Sequence, residues 1–400
     1  MFDLVNDGIP GSTPNTGPRL RPLSGPWSFF RRVRLMAGGQ LIEDIDYYNR
    51  VHEMMEILSA SDSRNNEDVE GFGERWNEMD PPDNTTEIAQ FEGVAAGDRQ
   101  TVLFKPLCGL LNQSKFLPLT YIQSLSLELE LVDNPRDPVI NSVATAVTAV
   151  APSLTASTYG TAGNPWTDAK NSVVWHIENV QVKCDVVSLD TGLQNSYDQI
   201  VLSSKDIPIH YNTFISQFQT ITGQEEPFVN VSRAATRLKS IFVTLDKDRK
   251  GARNNASRKS WNDFFSPAWV NNMTCLKHDN KDEVEVQVQI GSKLFPEYPI
   301  RSYSEAYYQL RKALGIQSSK MHNFDISPRE YRSHRYIVGI DTEKMLGASF
   351  TGLNTRSGDL MSVKLKYKER NALRLADRMH IILHTDNILQ ISATGVSVFD

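Results

Sequence analysis

Cysteine is scarce: Cys108, Cys184 and Cys275 stand far apart in 400 residues and form no Cys-x-x-Cys pair. Such a set excludes a disulfide framework or a zinc ribbon and fits free thiols in a reducing compartment. Positive charge is not in excess either. Lys and Arg total 42 against 48 Asp and Glu, a formal charge of −6, whereas a protein that coats nucleic acid needs a cationic surplus to neutralise phosphates. Long apolar runs are also missing. The longest uncharged stretch, Pro138–Trp166, is rich in Thr, Ser, Ala and Gly and is too polar for a transmembrane helix. Residues Met1–Pro10 hold Asp3 and Asp7 and no apolar core, so no secretory signal is read there. The sequons at Asn84, Asn112, Asn230, Asn255 and Asn272 are then not expected to meet glycosylation machinery.

Catalytic signatures are absent as well. No Gly-x-Ser-x-Gly elbow or Walker motif occurs, and Gly71-Phe72-Gly73 lacks the third glycine and the strand–helix setting of a phosphate loop. His52-Glu53 opens like a metalloprotease motif, but no second histidine completes it. His380 and His384 are four apart on a strand-like segment, where both imidazoles share one face. No carboxylate follows His380, and the plain reading is a pair of interface or surface histidines. Cys108 sits in the apolar run Pro106–Leu111, the setting of a buried, inert thiol. The basic run Lys247–Lys259 has six cations but also Asp246 and Asp248 beside it and no interleaved aromatics for base stacking. It reads as a solvated or subunit-contact loop. No catalytic residue, cofactor-binding residue or metal ligand is nominated, and no cofactor is expected.

What the chain has in quantity is period-two alternation. Leu125, Leu127, Leu129 and Leu131 alternate with Ser and Glu. Val284, Val286, Val288 and Ile290 alternate with Glu and Gln. Val180, Val182, Cys184 and Val186 alternate with Gln181, Lys183 and Asp185, and Val363, Leu365 and Tyr367 alternate with lysines. Each predicts a strand with one dry and one wet face, as antiparallel sheets allow. Leu127, Leu129, Val286 and Val288 are expected between facing sheets, with Glu128 on the wet side. Further strands are predicted at Phe29–Met36, Thr101–Phe104, Leu238–Leu245, Tyr336–Ile340, Met379–Leu383 and Leu389–Val398. Arg31, Arg32 and Arg34 on the first of these are expected to pair with the acidic run Glu43–Asp46.

Two segments have helical period: Ile45–Leu58, with Asp44 and Asp46 at its start, and Ser302–Leu314, with Gly315 as its C-terminal cap. They fall in different halves of the chain. The spacing predicts an all-β protein of two adjacent antiparallel β-sandwiches with short inserted helices, divided between Leu189 and Ile207 ahead of a break at Pro208. At 400 residues the chain is long for one sandwich and comfortable for two. Ser59–Phe91, Pro135–Lys170 and Lys247–Ser260 read as long surface loops, the second of them mobile.

The run Arg21-Pro22-Leu23-Ser24-Gly25, then Phe29–Arg34 and Gly38–Arg50, carries a resemblance when joined to Phe104–Leu111 and Lys115–Leu119. With Pro208–Tyr211 and Phe214–Ile221 at the start of the second half, it resembles double jelly-roll major capsid proteins of the Polinton, Polinton-like virus and virophage branch, related to adenovirus hexon. The resemblance implies jelly rolls over residues 1–195 and 196–400. Family members have more chain before the Arg-Pro-Leu-Ser-Gly run, so the first jelly roll is expected to lack a strand or two at its N-terminus. It implies a structural, non-enzymatic protein in the icosahedral virion of a DNA virus, made in the host cytoplasm or nucleus and not secreted. It further implies homotrimeric, pseudo-hexagonal capsomers, neighbouring capsomers, and penton and minor capsid proteins as partners. Small-molecule substrates and sequence-specific nucleic acid are not expected partners, and contact with the genome or an inner membrane is left open. Wet-face residues such as Glu128, Glu130, Lys364 and Lys366 would pair across subunit seams. The other class open to a chain of this pattern is a carbohydrate- or receptor-binding β-sandwich, lectin-like or fibre-like, with Trp76, Trp166 and Trp269 available for sugar stacking.

Overall fold

In a computed structural model the structure describes residues 1–8, 19–59, 69–73, 93–113, 116–122, 124–141, 170–203, 205–222, 224–246, 264, 284–315, 326–333, 335–342, 352–356, 360–367 and 376–399. The first half has nine strands: β1 Phe2–Asn6, β2 Leu20–Pro22, β3 Phe30–Ala37, β4 Gln40–Ile45, β5 Arg99–Val102, β6 Leu125–Leu131, β7 Val139–Asn141, β8 Lys170–Asn171 and β9 Trp175–Glu178. The second half has nine more: β10 Ile207–Thr220, β11 Phe228–Val231, β12 Leu238–Asp246, β13 Val284–Ile290, β14 Lys293–Ile300, β15 Ile337–Asp341, β16 Met361–Tyr367, β17 Arg378–Ser392 and β18 Gly395–Phe399. The described helices are α1 Tyr48–Ile57, α2 Thr191–Leu202, α3 Tyr303–Ala313 and α4 Pro328–Ser333, with a 3-10 turn at Pro26–Phe29. None is long and apolar enough to cross a membrane.

Every ladder between these strands is antiparallel. The first half forms three sheets, ordered β5-β1-β9, β2-β7-β8 and β4-β3-β6. The second forms β10-β17-β12-β15, with β18 on β17, and β11-β16-β13-β14. In the second half the chain passes from one sheet to the other after β10, β11, β12, β14, β15 and β16, the crossing pattern of a jelly roll. Among the described strands, none of the first nine pairs with any of the last nine.

The alternating runs explain the layers. Val284, Val286, Val288 and Ile290 of β13 are buried, while the Glu and Gln between them are half-exposed. They share one apolar cluster with Val363 and Leu365 of β16 and with Ile241, Val243, Ile381 and Leu383 of the facing sheet. Helix α3 starts where Ser302 Oγ accepts the Glu305 N–H at 3.1 Å and ends at Gly315, whose φ of +71° suits the left-handed cap. It lies across β15 at Gly339, where a Cβ would come within 3.0 Å of Leu310.

Several expectations are corrected. Helix α1 begins at Tyr48 and not Ile45, because β4 runs on to Ile45, which pairs with Val33, and Tyr47 turns the chain at φ 50°. Asp44 and Asp46 therefore flank a strand end and a turn, not a helix start. The strands foreseen at Met379–Leu383 and Leu389–Val398 are β17, one continuous strand, and β18; β17 is held straight by β10 over fourteen paired positions, Ile207 to Thr220. Pro208 is not a break. It sits exposed near the start of β10, an edge strand, where its missing N–H costs no ladder bond. Helices α2 and α4 were not foreseen. The run Val180–Val186 is exposed and belongs to no strand; Gln181 alone bonds another backbone, that of Met1, and among the described residues the run has no dry face. Leu127 and Leu129 are half-buried and not fully enclosed, since β6 is an edge strand.

That gradient is measurable. Ile381→Ala, at a fully buried centre, is expected to cost about 2–5 kcal/mol in denaturant melts. Leu129→Ala should fall near or below the lower end of that range, and Glu128→Ala should stay within about 0.5 kcal/mol. Equal losses at the three positions would show that β6 is buried on both faces.

Candidate functional site: the seam between the two halves

The sheet β4-β3-β6 turns its charged face outward. Arg32 forks onto Asp44 with Nε–Oδ1 at 2.7 Å and Nη2–Oδ2 at 2.6 Å, and Arg34 bonds Glu128 at 3.1 Å and Glu130 at 3.4 Å. A bulge at Arg31, between the pairs Phe30↔Leu131 and Arg32↔Glu130, swings that side chain out to Asp133 at 2.7 Å and Asp46 at 3.6 Å. The foreseen pairing with the acidic run is present for Arg31 with Asp46 and for Arg32 with Asp44, whereas Arg34 turns instead to Glu128 and Glu130 of β6. Glu128, Glu130 and Lys366, foreseen at subunit seams, already have partners within the chain; Lys366 Nζ lies 2.6 Å from Glu226.

Glu43 departs from the expected acidic cluster. It shares its side of β4 with Ile45, and both are buried. Its Oε1 accepts the Leu110 N–H at 2.7 Å, and its Oε2 accepts the Gly109 N–H at 2.9 Å and the Thr213 hydroxyl at 2.9 Å. Burial pushes this carboxyl above its ordinary range, and the donors from Leu110, Gly109 and Thr213 pull it back. Thr213 belongs to β10, so one carboxylate joins β4, the turn at 109–110 and the second half of the chain. Next to it, Tyr211 Oη donates to the Ile42 carbonyl at 3.0 Å. A Cβ on Gly109 would overlap the Asn212 carbonyl, so this approach requires glycine. Leu35, Ala37, Ile42 and Leu110 of the first half pack with Tyr211, Leu389 and Ile391 of the second in one buried cluster.

Further along the seam lies a cavity of about 290 Å³ lined by Tyr47, Arg50, Phe218, Asp246, Arg378 and His380 among others. Its charges oppose each other: Arg378 Nη2 donates to Asp246 Oδ2 at 2.9 Å. The Arg50 guanidinium lies 4.6 Å over the Phe264 ring. His380 faces this junction, and His384 lies further along the same strand among residues of the second half. His380 packs edge-on to Tyr47 at 5.6 Å, and His384 stacks on Phe214 at 5.0 Å with its Nδ1 3.3 Å from Ser240 Oγ. Burial lowers both, His384 to about 4 with the nearby Lys239 adding to the fall, so both rings are neutral at pH 7.

Cys108 is buried, and burial raises its thiol far above the reactive range, whereas Cys184 is exposed. Among the described residues no three His, Cys, Asp or Glu side chains gather where a metal could sit. The basic run Lys247–Lys259, residues 142–169 of the foreseen mobile loop, Cys275, Trp76, Trp166 and Trp269 lie outside the described residues. The Glu43 anchor was not read from the sequence, although one signal was there: in β4 the period-two count places Glu43 with Ile45 and not with Asp44.

Comparison with protein-family models and with curated proteins finds no match. Solved structures do match. The Faustovirus major capsid protein is 10% identical over 94% of this chain and 74% of its own, with a TM-score of 0.54. VP54 of PBCV-1, fitted into a reconstruction of the virophage Sputnik, is 15% identical over 99% and 87%, with a TM-score of 0.53. The 3.5 Å structure of the Sputnik virophage gives 10% identity over 99% and 80%, with a TM-score of 0.52. At these identities the likeness is one of fold, and it spans nearly the whole chain: the all-β double jelly roll foreseen from the sequence is present.

Two outcomes test the seam. Glu43→Ala strands the Gly109 and Leu110 N–H groups in the interior and is expected to cost at least about 2 kcal/mol in denaturant melts, from about 1–3 kcal/mol per orphaned buried group. For His384 the unfolded chain binds the extra proton between pH 6.5 and about 4, so its share of stability is complete above pH 6.5 and declines as pH falls through that window, by up to about 1.4 kcal/mol per unit. His384→Gln should therefore flatten the fall in stability from pH 6.5 to 4.5 relative to the parent; parallel profiles would show that this ring does not titrate in the fold.

Proposed function

We propose that the chain is a structural major capsid protein of the Polinton-like and virophage lineage, located in the virion and without catalytic activity. The observation that carries this reading is a double jelly roll that follows capsid-protein structures over 94% or more of the chain. The division into jelly rolls at residues 1–195 and 196–400 falls within α2, between the last strand of the first set and the first strand of the second.

The welded seam suits this role. A subunit that supplies two corners of a ring must hold them at a constant angle, and the Glu43 anchor with its surrounding apolar cluster does that without a hinge. Three such subunits make six corners and close head-to-tail into a pseudo-hexagon, a heterologous contact that ends at the third copy. Many trimers then tile an icosahedral shell, with penton and minor capsid proteins filling vertices and gaps. Synthesis in the host cytoplasm or nucleus follows from that assembly route.

Sedimentation of the purified chain across micromolar concentrations, with negative-stain imaging, is expected to show trimers of pseudo-hexagonal outline. A monomer at every concentration, or an open linear polymer, would refute the closed-ring reading.

A further inference from the structure

The stretch between β9 and β10 is built unlike the rest of the chain. Glu178 pairs with Asp3, and Gln181 exchanges both backbone hydrogen bonds with Met1 at 2.9 and 3.0 Å, so one extra residue stands on this side. That residue is the bulge Asn179, at φ 52°, with its side chain bonded to Asp3 at 2.7 Å. Beyond Gln181 the backbone leaves the sheet. Among the described residues it makes no further backbone hydrogen bond until the first turn of α2, where Gln194 N donates to Asp190 O.

The side chains of this stretch are the second anomaly. Eight of the 22 large apolar side chains that stand exposed among the described residues lie within residues 180–202, including Val182 at 66%, Val186 at 80% and Leu202 at 81%. Helix α2 buries no residue at all, although it spans 12 residues. A helix of this length is marginal in water without a packed face. Its cap, Asp190 accepting the Gly192 N–H at 3.3 Å, contributes only about 1 kcal/mol, and among the described residues its side chains reach outward to Tyr121, which donates to Asp198 at 2.5 Å and lies 6.5 Å from the Tyr197 ring. Eight exposed aliphatic side chains amount to several hundred Å², about as much as the largest apolar patch of an ordinary monomer and on the order of one side of a standard protein interface.

We infer that residues 180–202 form a docking arm that lies against a second copy of this chain. The same chain offers what such an arm needs: outer strands whose far edges carry no partner among the described residues, with exposed apolar side chains. Leu41 on β4, Leu131 on β6, Phe228 on β11, and Leu294 and Tyr298 on β14 are exposed, and each of these four strands ends its sheet. The arm supplies alternating valines and free backbone groups, and such an edge accepts both by strand addition. The arm is tethered at Met1 and at Tyr121 to its own first half, and arm and edge are different surfaces of the chain, so a contact of one with the other between copies is head-to-tail. This assignment rests on the trimeric capsomer reading and names the surface that closes it.

The test uses the full chain. Val186→Asp and Leu202→Asp change side chains that are 80% and 81% exposed, so the circular-dichroism melt of the monomer should hardly move; Val69→Asp, 85% exposed and outside the arm, is the control. The arm variants are expected to weaken trimer formation at least tenfold in sedimentation and the control less than twofold. Cys184, exposed within the arm, is the reporter: maleimide labelling read by peptide mass spectrometry should slow at least tenfold when the protein is concentrated from monomer to trimer. Mixed light and heavy isotope protein, crosslinked from Lys183, should give light–heavy pairs. A trimer in which Cys184 stays reactive and the arm variants assemble normally overturns the arm and leaves the trimer standing. Protection of Cys184 already in the monomer, with crosslinks only within one isotope, shows the chain covering its own arm and overturns the inference. A chain that never self-associates overturns both this inference and the trimer.

Discussion

A carboxylate cannot be left in a protein interior without donors, and Glu43 obtains all three of its donors from segments far away in sequence. Two are backbone N–H groups of the 109–110 turn and the third is a hydroxyl on the first strand of the second half. The requirement acts as a three-way lock. If β10 moved away, the Thr213 bond would break and a buried charge would lose a partner; if the turn moved, two N–H groups would be stranded with it. Gly109 tightens the lock by letting the turn approach the Asn212 carbonyl more closely than any side chain permits. Rigidity is thus placed at the seam, where two otherwise separate sets of sheets meet.

Around that lock the chain divides its surfaces by charge. The outward face of β4-β3-β6 is a lattice of Arg32, Arg34 and their acidic partners, which keeps this sheet soluble and satisfied within one subunit. Exposed pairs of this kind contribute little to folding energy, but they occupy side chains that would otherwise seek partners on a neighbour. The apolar surface left uncovered is concentrated instead at residues 180–202 and at the outer strands. Charged faces that are already satisfied and apolar stretches that are not make a subunit whose contacts are directed to a few places.

Titratable groups at and beside the seam are held in their neutral forms. His380 and His384 are kept neutral by burial, and Cys108 is kept protonated by the same cause. In the cavity beside them, Arg378 is matched to Asp246, so the charges cancel locally. Burial here serves to exclude water from a mechanical joint.

The sequence by itself determined the antiparallel, two-part β architecture, because period-two alternation depends only on which residues tolerate water. Val284–Ile290 and Met361–Tyr367 could be read from their own side chains, as could the C-terminal cap of Ser302–Leu314 from Gly315. It also determined that Asp44 and Asp46 would meet arginines. Only the tertiary structure decided where alternation finds a partner. Val180–Val186 has the pattern of a strand and forms none, since a strand exists only where another backbone continues to offer its hydrogen bonds, and among the described residues only Met1 does so, at Gln181. Glu43 was placed among the surface acids by its neighbours in sequence, yet its burial was decided by the 109–110 turn and Thr213, donors 66 to 170 residues away along the chain. Alternation is a local property; hydrogen-bond partners and buried charge are settled by whatever the fold brings alongside.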